Sequence, residues 1–314
     1  MSEVGLGCWQ LGGDFGPVEH ARSQDILRAA DENGINFWDT ADVYGAGESE
    51  RRIGEFVSRN IAKPVIATKV GRDPGLYPNG YSKKKVRANI EGSARRLGVD
   101  SLDLVQLHCI PPEVVKAGDI LAWMEDFQEL GLIKAFGASV ETIDEAKVAA
   151  SSPLLTSLQI IFNIFRQNAI SELFPLAEAN EVGIIVRLPL ASGVLSGSMT
   201  RERKFAESDH RYYNRSGEAF SVGETFSGIP FESALDFVET IRQWLPEGMT
   251  MAQMAMRWIL DQPAVSTVIA GASRPEQVVQ NASASSLDRL SEALHRKLAD
   301  FYERDIEAAI RVPI

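Results

Sequence analysis

Short apolar runs rich in β-branched residues alternate along this chain with longer stretches of helical periodicity. The apolar runs predict eight strands, at 4–8, 36–39, 65–69, 102–108, 135–139, 156–162, 183–188 and 265–270. The stretches between them, such as HARSQDILRAADENG and SKKKVRANIEGSARRLG, predict amphipathic helices, several of which end at glycine. Eight strands that alternate with helices predict an α/β fold, a (β/α)8 TIM barrel, rather than an open doubly wound sheet.

The barrel pattern covers residues 1–314 and predicts a single domain. The irregular stretch 191–228 is longer than ordinary connections, and we expect it to form a lid over the barrel mouth. Residues 290–312 predict one more helix at the C-terminus. The glycines of GLGCWQLGG lack the GxGxxG spacing, so they do not favour an open dinucleotide-binding sheet.

The formal net charge of −11 and the sequence pI near 5.0 argue against a nucleic acid or an anionic membrane as partner. Two cysteines, Cys8 and Cys109, are too few for a disulfide framework or a zinc cluster, so we expect free thiols and no metal. The chain has neither an export signal nor an apolar run of ~18 residues, and we expect a cytoplasmic protein.

Polar residues stand at the ends of consecutive predicted strands. Asp39 ends the second strand, Tyr44 lies in the loop that follows it, and Lys69 and His108 end the third and fourth strands. Strand ends meet at the C-terminal face of a barrel, where the active sites of such enzymes lie, so we expect one reaction centre there. An ammonium group beside a phenol lowers the pKa of the phenol, which makes Tyr44 the candidate acid.

In this interpretation, Asp39 would hold Lys69 in place, and His108 would orient a carbonyl oxygen toward Tyr44. Each residue also has a purely structural interpretation, as an ion pair, a buried histidine or a loop aromatic residue. Taken singly, these are favoured, but four complementary groups at three consecutive strand ends favour a single site. A barrel isomerase or lyase with Lys69 as a Schiff-base nucleophile stays open as another class of enzyme.

Eight segments in this order carry a resemblance to the aldo-keto reductases, namely GLGCWQLGG, GINFWDTADVYG, IATKVG, LDLVQLH, FGAS, QIIFN, PLASGVLSG and GASRPEQVVQNASA. The resemblance covers nearly the whole chain and is to the bacterial branch. It implies an NAD(P)H-dependent oxidoreductase that transfers a hydride between NADPH and a carbonyl substrate, whether an aldehyde, a ketone or an aldose. It also implies that Tyr44 is the general acid and that Asp39, Lys69 and His108 complete a catalytic tetrad. We expect Trp9, at the end of the first strand, to form a wall of the substrate pocket.

The same resemblance implies a cofactor site along the later strands. Ser139 and Gln159 would hold the nicotinamide carboxamide, with Asn163 close by. The pyrophosphate and ribose would meet the segment that contains Pro189, Leu190, Gly193 and Leu195. The adenosine phosphate would meet Gly271, Ser273, Arg274, Gln277 and Asn281. A helix N-terminus with free N–H groups and the fork of Arg274 suit a phosphate, so NADPH is favoured and NADH stays possible.

The chain departs from the family pattern at two positions. Val140 follows Ser139 where many members have asparagine. Arg187 replaces the aromatic residue that stacks on the nicotinamide in many relatives, as in a bacterial subgroup, and would either stack or bind phosphate. The remaining pocket walls are expected from Tyr212, Tyr213, Phe220 and Phe226.

A second class of function uses the same barrel. An NAD(P)H-binding sensor or regulatory subunit, for example one associated with a channel, would bind the cofactor with little turnover. The partner expected for the enzyme is a small carbonyl compound, and the chain is expected to be a monomer or a weak homo-oligomer. The identity of the substrate and the preferred direction of reaction stay open.

Overall fold

A computed structural model describes residues 1–13 and 15–313. Eight parallel strands of this part of the chain form a closed barrel in sequential order, as predicted. The strands are β1 (Val4–Gly7), β2 (Phe37–Asp39), β3 (Val65–Val70), β4 (Leu104–His108), β5 (Phe136–Ser139), β6 (Ser157–Ile161), β7 (Gly183–Arg187) and β8 (Val265–Gly271). No predicted strand boundary is wrong by more than two residues.

Helices surround the barrel and return the chain to its N-terminal face. They are α1 (His20–Glu32), α2 (Glu48–Arg59), α3 (Lys83–Leu97), α4 (Pro112–Lys116), α5 (Asp119–Glu129), α6 (Ile143–Ala149), α7 (Ala169–Glu172), α8 (Phe174–Ala179), α9 (His210–Tyr213), α10 (Phe231–Arg242), α11 (Met251–Leu260), α12 (Pro275–Ser283) and α13 (Glu292–Phe301). Their ends follow ordinary capping chemistry. Thr142 and Thr250 begin α6 and α11 with complete capping boxes. Gly98 ends α3 in the left-handed conformation, with φ of 73°.

Alternation along the strands divides the barrel interior into layers. One layer is apolar and buried, and consists of Phe37, Ala67, Leu104, Ile185 and Ile269. Successive side chains of a strand point to opposite faces, so the residues two positions further along share the same interior face. These are Asp39, Lys69, Gln106, Arg187 and Gly271. The apolar layer therefore forms a floor on which a polar layer rests toward the C-terminal face.

The long segment 191–228 contains only short helical turns, at Ala191–Ser196, Val222–Glu224 and Phe226–Gly228, together with α9. The C-terminal helix differs from the prediction of one uniform helix over 290–312. Regular α-helix ends at Phe301 and is followed by a π-helical turn, Tyr302–Ile306, and a 3-10 turn, Glu307–Ala309. No helix in the described residues is both long and apolar enough to cross a membrane.

Candidate active site

Strand pairing brings the four candidate catalytic residues to one end of the barrel. Asp39 ends β2 and Lys69 lies near the end of β3, while His108 ends β4. The Lys69 ammonium nitrogen lies 2.5 Å from Asp39 Oδ1, and it donates to the Thr40 carbonyl oxygen at 2.9 Å. It lies 3.2 Å from the Tyr44 hydroxyl oxygen. A lysine ammonium has three N–H donors, so these three acceptors use all of them and fix its position.

The second oxygen of Asp39 is held by two glutamines. Gln159 donates to Asp39 Oδ2 at 2.7 Å, and Gln106 donates to the same oxygen at 3.2 Å. The Ser139 hydroxyl in turn donates to Gln159 Oε1 at 3.4 Å. Sequence reasoning missed Gln106, although its polar side chain interrupts the apolar strand VQLH two residues before His108. Ser139 and Gln159 therefore belong to one hydrogen-bond network with Asp39, Lys69 and Tyr44.

Two glycines let the loop that carries Tyr44 pack against the turn after β1. A Cβ atom on Gly12 would lie 2.6 Å from the carbonyl carbon of Tyr44. Gly45 has a φ of 57° and faces the same turn, so a side chain there would meet Gly12. Trp9, from that turn, stacks on the Tyr44 ring with a centroid distance of 5.7 Å and an interplanar angle of 19°. This packing fixes the direction of the Tyr44 hydroxyl.

Burial controls the protonation of these groups. Burial raises the pKa of Tyr44 to about 12, because desolvation of the phenolate outweighs the opposing effect of Lys69. Lys69 does lower the pKa of Tyr44, as expected, but the expectation that this pKa lies below the usual value is wrong, because the effect of burial is larger. Burial alone would lower the pKa of Lys69, but Asp39 and Tyr44 raise it by more, so the ammonium stays charged. Burial, followed by Lys69, lowers the pKa of His108 well below its usual value, which leaves a neutral imidazole.

A cavity of about 860 Å³ opens above this layer, within the usual size of small-molecule and cofactor sites. Most predicted site residues line it, namely Trp9, Asp39, Tyr44, His108, Ser139, Gln159, Arg187, Pro189, Leu190, Gly193, Gly271, Ser273, Arg274 and Gln277. Lys69 lies directly beneath its floor, in contact with Asp39 and Tyr44. The tetrad, the nicotinamide candidates and the phosphate candidates therefore face one continuous space.

Three predicted cofactor residues do not line this cavity. Asn163 is fully buried, and its amide donates to the Leu188 carbonyl oxygen at 2.9 Å and to the Ser227 hydroxyl at 2.8 Å. Leu195 is fully buried in the apolar core, and Asn281 is buried on α12. Asn163 thus joins the end of β7 to the segment 191–228 and does not face the cavity.

The long segment 191–228 supplies one wall of the cavity, but only part of the predicted aromatic set reaches it. Tyr213 and Phe220 line the cavity. Tyr212 is 56% exposed and Phe226 is fully buried, and neither lines the cavity.

The segment after β8 has the features of an anion site. Arg274 lines the cavity directly before the first turn of α12, and its side chain makes no ion pair in the described part of the chain. Gln277 Oε1 accepts from both the backbone N–H and the hydroxyl of Ser273, which orders this turn. A Cβ atom on Gly271 would lie 2.0 Å from the end of the Gln10 side chain, so a larger residue there would displace that side chain. The arrangement leaves one uncompensated guanidinium at a helix start.

Arg187 is compensated by contacts that the sequence did not reveal. Its guanidinium forms a buried ion pair with Glu224, from the segment 191–228, and donates to the Val140 carbonyl oxygen at 2.9 Å. It also approaches Cys109 Sγ at 3.8 Å. Both cysteines carry free thiols, as expected, and burial raises the pKa of Cys109 to about 12. Arg187 therefore joins the wall to the barrel, and Cys109 stays a neutral thiol.

Cys109, Glu141 and Glu224 place ligand-type atoms within 4.8 Å of one another. Guanidinium groups, however, already pair with both carboxylates, Arg72 with Glu141 and Arg187 with Glu224. We assign no metal to this cluster.

The loop after β2 also carries a buried carboxyl group with few partners. Asp42 Oδ2 accepts one long hydrogen bond from Asn89, at 3.4 Å, and Oδ1 has no hydrogen bond in the described residues. The neighbouring Glu50 is satisfied by Arg96 at 2.6 Å and by the Thr68 hydroxyl at 2.5 Å. Burial, followed by the charge of Glu50, raises the pKa of Asp42 to about 7.

Asp42→Asn is expected to stabilise the protein above about pH 7. The folded-state pKa of about 7 lies above the unfolded value of ~3.9, so the folded chain binds the extra proton and loses stability as pH rises between these values. An amide cannot ionise, so the variant should be more stable near pH 8 by roughly 1–3 kcal/mol. Urea unfolding at about pH 5 and pH 8 measures this, with the exposed Asp144→Asn as the control. A variant no more stable than the parent at the higher pH would contradict the expectation.

The comparisons with known proteins span the whole barrel. A sequence model described as the Aldo/keto reductase family matches residues 3–303. An aldo-keto reductase of Bacillus subtilis is 29% identical over 88% of this chain and 83% of its own. An NADH-specific methylglyoxal reductase of Escherichia coli is 28% identical over 97% of this chain and 96% of its own. The solved structure of a glycerol dehydrogenase from Gluconobacter oxydans gives a TM-score of 0.78 at 25% identity, over 100% of this chain and 94% of that chain.

Proposed function

The chain belongs to the aldo/keto reductase family, and on that premise we propose that it reduces an aldehyde or ketone with a nicotinamide cofactor, with Tyr44 as the general acid. One observation carries this proposal. The Lys69 ammonium, anchored by Asp39, lies 3.2 Å from the Tyr44 hydroxyl, and the neutral His108 ring stands edge-on to the Tyr44 ring at 5.9 Å. This arrangement suits the delivery of a proton to an oxygen atom.

Each residue then has one task. The substrate oxygen would lie between the Tyr44 hydroxyl and His108, both of which line the cavity. His108, as a neutral imidazole, donates a hydrogen bond to that oxygen without competing for the proton. Tyr44 gives its proton to the oxygen, and Lys69 stabilises the phenolate that forms. When bound, the reduced nicotinamide supplies the hydride to the carbonyl carbon.

The cavity also fits the cofactor. Ser139 and Gln159 offer hydroxyl and amide groups to the nicotinamide carboxamide. Gly193 lines the cavity and has no side chain, so its backbone can approach a phosphate closely. Arg274, without an ion-pair partner in the described chain, supports NADPH over NADH, because a guanidinium fork matches the extra phosphate. The Escherichia coli relative is named as NADH-specific, so the preference needs a direct test.

The alternative with Lys69 as a Schiff-base nucleophile has less support. A nucleophilic lysine must lose its proton, whereas Asp39 and Tyr44 raise the pKa of Lys69 and all three of its donors are engaged. The sensor alternative makes the same cofactor contacts and differs only in turnover.

Titration with NADPH and NADH, monitored by tryptophan fluorescence, followed by cofactor oxidation with a panel of aldehydes and ketones, tests the proposal. We expect both binding and turnover, and tighter binding of NADPH. Arg274→Met should raise the Kd for NADPH by about tenfold or more and change that for NADH little. Arg87→Met, on an exposed helix position, is the matched control.

Binding without turnover of any carbonyl compound would favour the sensor function, and no binding would refute the cofactor assignment. If Arg274→Met raises the Kd for NADPH and for NADH equally, Arg274 does not bind the extra phosphate of NADPH.

A further inference from the structure

The cavity wall beside His108 carries a guanidinium group that the reaction does not use. Arg72 lies three residues beyond Lys69, in the loop after β3, and lines the cavity together with His108 and Cys109. The backbone of this loop runs next to β4, because a Cβ atom on Gly71 would lie 3.6 Å from the His108 amide nitrogen. The charge of Arg72 also contributes to the lowered pKa of His108.

The position of Arg72 is on the substrate side of the barrel. Barrel order places β3 between β2, which precedes Tyr44, and β4, which ends at His108. The segments proposed for the cofactor pyrophosphate and adenosine phosphate follow β7 and β8, across the barrel from β3. A group that reaches Arg72 is therefore attached to the molecule held by Tyr44 and His108.

Arg72 is also poorly compensated. Its only hydrogen bond in the described residues joins Nη2 to Glu141 Oε1 at a long 3.3 Å, which leaves four of the five N–H donors of an arginine without a protein acceptor. Its guanidinium stacks on the Tyr77 ring at 4.7 Å, which holds the planar fork in place. The Arg72 side chain is 21% exposed, so a ligand can reach it.

Two other arginines of the cavity, Arg187 and Arg211, are already compensated by protein groups. Arg187 is engaged by Glu224 and by the Val140 carbonyl oxygen. Arg211 forms a two-point ion pair with Asp209, at 2.6 and 2.9 Å. Neither therefore competes with Arg72 for an anion near His108.

We propose that the physiological substrate is an aldehyde or ketone that carries an oxyanion, a carboxylate or a phosphate, and that Arg72 binds this group. The inference rests on the proposed reductase function and deepens it. A two-point contact from a guanidinium suits either oxyanion, and the net charge of −11 makes a local cation necessary for anion binding. Tyr44 and His108 would hold the carbonyl end while Arg72 holds the anionic end, and the distance between them would select the chain length.

Matched pairs of substrates test this inference with NADPH present. Succinic semialdehyde is compared with butanal, and glyceraldehyde 3-phosphate with glyceraldehyde. We expect kcat/KM to be at least about tenfold higher for the anionic member of one pair, the lower range for a charge-assisted hydrogen bond. The pair that shows the preference distinguishes a carboxylate from a phosphate.

Three variants separate recognition from structure. Arg72→Met should lower kcat/KM for the preferred anionic substrate by roughly 10- to 100-fold and leave the neutral aldehyde nearly unchanged. Glu141→Gln removes the carboxylate that competes for Arg72. It should raise kcat/KM for the anionic substrate by roughly two- to fivefold, the scale of a partly exposed ion pair. The exposed Arg87→Met should change neither.

The outcomes are distinct. Turnover of the neutral aldehydes without preference for either anionic member refutes this inference and leaves the reductase function standing. Equal losses for charged and neutral substrates in Arg72→Met would make Arg72 a structural residue and also refute it. Absence of turnover for these four compounds and for the whole panel of aldehydes and ketones refutes the reductase function, and this inference with it.

Discussion

Tyr44→Phe is expected to lower kcat/KM for carbonyl reduction by at least about 100-fold while NADPH still binds. The substitution removes the proton donor and leaves the ring that stacks on Trp9. Because burial raises the pKa of Tyr44 to about 12, the Tyr44 hydroxyl of the parent enzyme keeps its proton throughout the neutral range and can act as an acid. Stopped-flow oxidation of NADPH, together with fluorescence titration of the cofactor, separates the two effects.

Tyr212→Phe is the matched control, since Tyr212 is 56% exposed and does not line the cavity. It should retain parental activity. A Tyr44→Phe enzyme that keeps more than about a tenth of the parental rate would show that another group, or water, protonates the substrate oxygen. Loss of cofactor binding in the same variant would instead give Tyr44 a structural role.

The convergence of Asp39, Lys69 and His108 was predictable from their positions at strand ends. Asp39 and His108 end apolar runs, Lys69 lies near the end of another, and a parallel barrel must bring such ends together. Gln106 shares the inward face of β4 with His108, but it lies within the strand rather than at its end, so the strand-end rule does not select it. Sequence position thus sufficed for the groups that strand geometry places.

The partners of Arg187 and Arg72 were not predictable in this way. Glu224 lies 37 residues beyond Arg187, in a segment without strands or long helices, so no period relates the two. Glu141, in the loop after β5, meets Arg72, in the loop after β3, across 69 residues of sequence. Such contacts depend on loop conformation, which hydrophobic patterning does not encode.

Resemblance to a family predicts the type of reaction better than it predicts the contacts of each side chain. Asn163 matches the family pattern near the nicotinamide, yet its amide is committed to the backbone of Leu188 and the hydroxyl of Ser227. The net pKa of Tyr44 was missed for a different reason, because that expectation came from the neighbouring charge alone. The pairing with Lys69 was correct, but the desolvation that dominates it depends on how completely the surrounding chain covers the phenol.

Lys69→Met is expected to reduce both stability and activity strongly. Both members of the Asp39–Lys69 pair are almost fully buried, so removing the cation leaves an uncompensated carboxylate that costs about 3–5 kcal/mol. Turnover should fall by about 100- to 1,000-fold, because no cation then stabilises the Tyr44 phenolate. Lys83→Met, which breaks an exposed ion pair with Asp126, is the matched control and should change neither property appreciably.

The double variant Asp39→Asn/Lys69→Met separates the two losses. An asparagine at this position still offers one oxygen to the amides of Gln106 and Gln159, and it carries no charge that requires compensation. The unfolding free energy of the double variant, measured in urea, should therefore recover most of the stability lost in Lys69→Met. The turnover of the double variant should stay as low as that of Lys69→Met. A double variant that regains activity along with stability would mean that the charge of Lys69 serves the fold alone. A double variant no more stable than Lys69→Met would mean that the lysine stem, rather than its ammonium, holds the strand ends together.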